Sequence, residues 1–284
     1  MTDPAQPARL VPEGLDGTLV LVRHGETDFI VEGRFQGQAD SALSPLGHRQ
    51  VELAGLRIAD PNAPPPLPIP RGTPREILHS PLRRTTETAA AIGRAFAARG
   101  DLVTNRPEAG LLEIGQGAWE GLLDVEIGQR YATELAGWRR DPLATWAPGG
   151  ESVLAVADRV RPALARALAD LSAAGGSRPG LSDGRSPVDG YGRHAPGDQP
   201  WSVLVGHDGV FKLVVLLLLD LPLVRFWSFP FSLAGLTIVE FRAGRPLLRA
   251  HNLTAHLAPL ALVEPAAASA ADAAADDREQ TGAL

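Results

Sequence analysis

The chain reads as an α/β protein built on a mostly parallel sheet, and three features of the sequence predict this. Apolar runs that end on polar residues or glycine recur at "GTLVLVRHG", "REILHS" and "WSVLVGHDG". Their continuous apolarity suits strands covered on both faces, as parallel strands are. Helical patterns follow each run instead of gathering at one end, which is the order expected of strand–helix–strand units.

In chain order, the first strand rises through Leu19, Val20, Leu21 and Val22 and stops on Arg23 and His24. In a parallel sheet, ligands bind just beyond such carboxyl ends. "SPLGHRQVELAGLRIA" is predicted as a helix, with Ser44 as N-cap and Pro45 at its first position. "DPNAPPPLPIPRGTP" is read as an extended linker. "REILHS" is a short strand that brings His79 and Ser80 to a second strand end. "PLRRTTETAAAIGRAFAARG" opens on proline and closes on glycine, so it is a helix with Arg83 in its first turn. A short strand follows around Leu102 to Thr104, then the irregular stretch "LLEIGQGAWEGL", then helices near 124–140 and 151–172. "WSVLVGHDG" repeats the opening theme with His207, and a Leu-rich core helix runs on to about Leu219. "GLTIVEFRAGRPLLRAHNL" gives two closing strands around an Ala-Gly turn.

One domain is expected over 17–263, with residues 1–16 a disordered N-terminus outside the core. Residues 174–200 are Gly, Pro, Ser and Asp with almost no apolar content, and form a disordered insert by composition; the Ala/Asp-rich tail 264–284 reads the same way. His194 falls inside the insert, which argues against a catalytic role for it.

The 284 residues are 44% hydrophobic, enough for a packed core. With no cysteine, disulfides, thiolate nucleophiles and cysteine-built metal sites are excluded. No secretory signal is visible at the start, so the cytoplasm is the expected location. The most apolar window is interrupted by Lys212, Asp220 and Pro222 and falls short of the ~20 residues of a membrane span. A net charge of −6 without a dense basic run argues against nucleic acid as partner. A homodimer stays open.

Four segments therefore bring Arg23 with His24, Arg83, Glu113 and His207 to one sheet edge. Two histidines, two arginines and a carboxylate suit phosphoryl transfer: an imidazole attacks phosphorus, guanidiniums hold the equatorial oxygens, and the carboxylic acid protonates the leaving oxygen.

The motifs "LVRHGETD", "GRFQGQADSALSPLGHRQ", "HSPLRRTTETA", "LLEIGQGAWEG" and "VGHDG" closely resemble, in order, those of the histidine phosphatase superfamily, from about Leu19 to His256. The resemblance implies a three-layer α/β/α fold of phosphoglycerate-mutase type and a small phosphorylated substrate, with no metal or organic cofactor. It makes His24 the nucleophile, Arg23, Arg83 and His207 the phosphate pocket, and Glu113 the proton donor, with Glu120 the competing reading. It places Arg34, Gln36 and Gly37 in a loop that touches substrate. Of the adjacent Arg83 and Arg84, the motif match selects Arg83. In "WAPGGES", Glu151 and Ser152 open the following helix.

The sequence also departs from the family pattern. Phe29 and Ile30 stand where many members carry Trp-Asn, and Asp208 follows His207 where glycine is common. Asp208 could raise the pKa of His207 or repel a dianionic substrate. Mutases carry an arginine directly after the acidic residue; here Ile114 occupies that place, which favours a phosphatase of sugar, sugar-acid or glycerate phosphates. Mutase activity is the alternative, because Arg139 and Arg140 lie near a mutase arginine pair; they also read as cations in the last turn of a helix. A non-catalytic phospholigand-binding role is the remaining reading.

Overall fold

The apolar run ending at Arg23 is a central strand. In a computed structural model of the chain, which describes residues 9–175 and 199–261, it forms β1 (Gly17–Arg23) and is buried along its whole length. In chain order there follow α1 (Asp28–Glu32), α2 (Pro45–Ala59), β2 (Glu76–His79), α3 (Arg83–Ala97) and β3 (Thr104–Pro107). Next come α4 (Asp124–Arg130), α5 (Ala132–Arg140), α6 (Val153–Ala174), β4 (Trp201–Gly206) and α7 (Asp208–Leu218). β5 (Leu236–Arg242), β6 (Arg245–Leu253) and α8 (Ala258–Ala261) complete the described chain.

The strands form one sheet in the order β3-β2-β4-β1-β5-β6. The first four run parallel, and the closing pair β5 and β6 is antiparallel. Alternation along the buried strands divides the core in two. Val20, Val22, Val203 and Val205 join Val51, Ile58, Ile92 and Phe96 of α2 and α3 on one face. Leu19, Leu21 and Leu204 join Val160, Leu164, Phe211 and Val214 of α6 and α7 on the other. Helix, sheet and helix make three layers, as expected.

Local signals act where the sequence places them. Ser44 caps α2, its hydroxyl accepting from the Gly47 N–H at 3.0 Å, and Pro45 fills the first turn. Ser152 caps α6 through the Ala155 N–H.

Four expectations are corrected. Residues 9–16 are not outside the core: Val11 and Leu15 are buried in it. Asp16 Oδ1 and the Leu15 carbonyl accept from the N–H groups of Ala243 and Gly244, closing the β5–β6 turn. Polar average composition hid these two apolar anchors. The Pro-rich connection is pinned in the same way, by buried Leu67 and Ile69 packed on the α2–α3 side. The helical stretch 124–140 is broken at Tyr131, whose φ of −135° and ψ of 37° end α4 and begin α5. β3 begins at Thr104, and Leu102, expected within the strand, is 90% exposed beyond its end. Most of the insert 174–200, with His194, and the tail 264–284 lie outside the described residues.

Candidate active site

β1 and β4 are parallel neighbours in register, with Arg23 opposite Gly206. Two residues far apart in sequence therefore leave adjacent strand ends together. The His24 N–H donates to the Gly206 carbonyl at 3.0 Å, and the rings of His24 and His207 stand edge to face with centroids 5.2 Å apart. Both are buried. Gly25 lets α2 approach the turn after His24, because a Cβ there would lie 2.6 Å from the Gly47 carbonyl oxygen.

Each imidazole has a defined tautomer. His24 Nδ1 lies 2.7 Å from the Gly25 carbonyl oxygen, which only accepts, so Nδ1 carries the proton and Nε2 keeps a free lone pair. Burial, then the charges of Arg84 and Arg23, hold the His24 pKa well below its ordinary value, so at neutral pH the ring is uncharged. His207 Nδ1 accepts from Arg84 Nε at 3.3 Å, which places the His207 proton on Nε2. That Nε2–H is buried without a partner among the described residues, as befits a donor that waits for a ligand oxygen.

The buried arginine is Arg84, and the selection of Arg83 is corrected. Arg83 points outward, its side chain 60% exposed and paired with Glu87 at 2.7 Å. Arg84 is fully buried and donates to the carbonyls of Gly37 and Ala39 at 2.7 and 2.8 Å as well as to His207. A guanidinium has five N–H donors, so capacity remains for an anion. Desolvation pushes its pKa down to about 10, which leaves it charged at neutral pH. Arg23, also buried, donates through Nη1 to the Phe231 carbonyl.

Glu113 reaches the pocket from the loop after β3. Its Oε1 accepts from Ile114 N–H at 2.9 Å and Val210 N–H at 3.2 Å, and its Oε2 from Gly209 N–H at 3.3 Å. The carboxyl thus sits at the first turn of α7, two to three residues past His207. Gly209 permits this, since a Cβ there would come 2.8 Å from Glu113 Oε1. Burial, with the Asp208 charge adding to it, raises the Glu113 pKa against the backbone N–H bonds and Arg84, which lower it. A carboxyl shifted upward can hold a proton to give. Glu120 is placed differently: its Oε1 accepts from the N–H groups of Gln38 and Gln116 and ties two loops together.

The remaining candidates are distributed as follows. Gly37 lies at the pocket, its carbonyl held by Arg84. Gln36 is buried, and its Oε1 accepts from the hydroxyls of Thr27 and Ser41. Arg34 does not join the cluster; it bonds Glu32 and the Gly121 carbonyl. Asp208 does not face His207 as a bare charge, because it pairs with buried Lys212. Ile114 is core. Arg139 pairs with Asp124 at 2.6 Å and Arg140 is exposed, so neither supports the mutase reading.

One set of residues was not anticipated. Arg159 of α6 donates to the carbonyls of Gly110, Leu112 and Glu113 and pairs with Glu151. Glu151 also accepts from Gly115 N–H and Gln38 Nε2. This hub holds the Glu113 loop from both sides.

The sequence profile of the histidine phosphatase superfamily (branch 1) matches residues 19–174 and 186–254. The chain belongs to this family. It is 34% identical over 209 residues, 73% of this chain and 78% of the relative, to glucosyl-3-phosphoglycerate phosphatase of Mycobacterium tuberculosis (strain H37Rv). It is 27% identical over 242 residues, 84% of this chain and 93% of the relative, to phosphoserine phosphatase 1 of Hydrogenobacter thermophilus. The solved structure of mycobacterial glucosyl-3-phosphoglycerate phosphatase Rv2419c complexed with VO3 superposes with a TM-score of 0.63 at 29% identity, covering 83% of this chain and 98% of that one. Bacillus stearothermophilus YhfR gives 0.64 at 26% identity, covering 85% and 99%. The protein is a histidine-type phosphatase.

Proposed function

We propose that the phosphatase hydrolyses small phosphomonoesters, of the sugar, sugar-acid or glycerate class, without a metal, through a phosphohistidine on His24. The observation that supports this most is the buried pair of uncharged imidazoles between two buried guanidiniums. One ring offers a lone pair and the other an unpartnered N–H. His24 Nε2 attacks phosphorus; the N–P bond forms as the ester P–O bond breaks, and Glu113 gives its proton to the leaving alkoxide. Arg23, Arg84 and His207 Nε2–H hold the equatorial oxygens as charge shifts onto them. Water then attacks phosphorus and loses a proton to the Glu113 carboxylate; the N–P bond breaks and inorganic phosphate leaves. The relatives' names support a small phosphorylated metabolite as substrate.

The test is a phosphate-release screen of purified protein over small phosphomonoesters, with glucosyl-3-phosphoglycerate, phosphoserine and 3-phosphoglycerate included. Turnover of at least one, unchanged by EDTA, is expected. Strong inhibition by EDTA would contradict metal independence, and conversion of 3-phosphoglycerate to its isomer would make the protein a mutase.

Glu113→Gln is expected to slow alkyl phosphates by ~100- to 10,000-fold, and p-nitrophenyl phosphate, whose phenolate leaves unprotonated, far less. The pH profile carries a second signature. Activity requires His24 deprotonated, so it falls as pH drops through its lowered pKa. It also requires Glu113 protonated, so it falls as pH rises through its raised one. The amide should remove the basic limb and leave the acidic limb. Equal losses on both substrates with the basic limb intact would reassign the acid, with Glu120 next to be tested.

A further inference from the structure

The residue after His207 has a place of its own in the pocket's framework. Asp208, the first residue of α7, is buried, and its two oxygens point to different partners. Oδ2 receives Lys212 Nζ, one helical turn on. Oδ1 accepts from the Phe231 N–H at 3.1 Å. The carbonyl of that same residue accepts from Arg23 Nη1. Phe231 is thus held at its N–H by Asp208 and at its C=O by Arg23. Lys212 is itself confined, 3% exposed, with its ammonium 5.7 and 5.4 Å from the ring centroids of Phe226 and Trp227. Those distances fall within cation–π range.

We infer that Asp208 is a positioning residue for phosphate binding: through the Phe231 main chain it fixes the Arg23 guanidinium at the pocket, and Lys212 locks Asp208 in place. The inference rests on the phosphatase reading of the site. Asp208 Oδ2 is turned to Lys212 and Oδ1 to the Phe231 N–H, while Arg23 Nη1 is oriented by the loop's carbonyl, a neutral acceptor. The charge of the same carboxylate adds to the burial that pushes the Glu113 pKa up.

The experiment compares Asp208→Asn/Lys212→Met with Asp208→Leu/Lys212→Met. Asn and Leu both keep the branched outline of the Asp208 side chain, neither double leaves a buried charge unpaired, and replacing a buried ion pair in this way is often tolerated. They differ in whether an oxygen remains for the Phe231 N–H. Binding of inorganic phosphate, measured by titration calorimetry, is expected to be about tenfold weaker in the Leu variant than in the Asn variant, the size of one lost buried hydrogen bond. In an Arg23→Ala background the difference should shrink to less than about twofold, since effects that run through one residue do not add. Equal affinity of the two doubles would overturn the inference, as would a full tenfold difference that persists without Arg23. A third readout is the ratio of turnover on an alkyl phosphate to that on p-nitrophenyl phosphate, which should be the same in both doubles. A selective loss on the alkyl ester in the Leu variant would place the effect on the proton donor Glu113 instead of on Arg23 and overturn the positioning role. A wild-type protein that neither binds phosphate nor hydrolyses any ester would instead refute the phosphatase reading itself.

Discussion

His24→Ala is expected to abolish turnover, lowering kcat/KM by roughly 10⁴-fold or more, the scale on which removal of a covalent nucleophile acts. No other side chain in the pocket can replace it. His207 has its Nδ1 lone pair turned to Arg84 and its proton on Nε2, so the second imidazole faces the ligand as a donor and not as a nucleophile. The variant should keep its far-UV circular dichroism. Wild-type protein quenched during turnover of a ³²P-labelled ester should carry acid-labile label, and the variant none. Label retained on a folded His24→Ala protein would move the covalent step to another residue.

The second large effect separates two adjacent arginines. Arg84→Met should lower kcat/KM by about 100- to 1,000-fold, as loss of one preorganised donor to a developing anion does. It also releases His207 Nδ1 from its fixed tautomer. Arg83→Met should change kcat/KM by less than about threefold, because an exposed ion pair with Glu87 contributes little. Arg84→Lys keeps the charge but not the fork that spans Gly37, Ala39 and His207; it should recover only a small part of the loss. If Arg83→Met proved the more damaging substitution, the pocket described above would be wrong in one of its walls.

The same pair shows what the sequence carries. Arg84 falls in phase with Thr88, Ala91 and Ala95 on the buried stripe of α3, while Arg83 falls in phase with Glu87 and Arg94 on its wet side. Helical periodicity held the answer, and motif matching alone lost it. The strand ends were legible because apolar runs that stop abruptly leave few alternatives. Lys212, four residues after Asp208, was a visible signal that the carboxylate was already paired. The Arg159 hub had no such signal. On α6 this arginine reads as one more cation on an amphipathic helix, and apart from Glu151 its partners are backbone carbonyls about fifty positions away. Main-chain acceptors leave no trace in side-chain spacing. Residues 9–16 were misread for a related reason, since two anchors are enough to hold a segment whose average composition is polar.

The strand order has a consequence for biosynthesis. β4 lies between β1 and β2, yet it is made after both of them and after α6. At ~5–20 residues per second, on the order of ten seconds pass between the emergence of β2 and that of β4 from a ribosome. Throughout that interval β1 and β2 each present an apolar strand edge with nothing beside it, the kind of edge that recruits foreign strands. The nascent chain is therefore most exposed to aggregation before residues 201–206 fill the slot. The step that fills this slot is also the one that brings the second histidine beside the first.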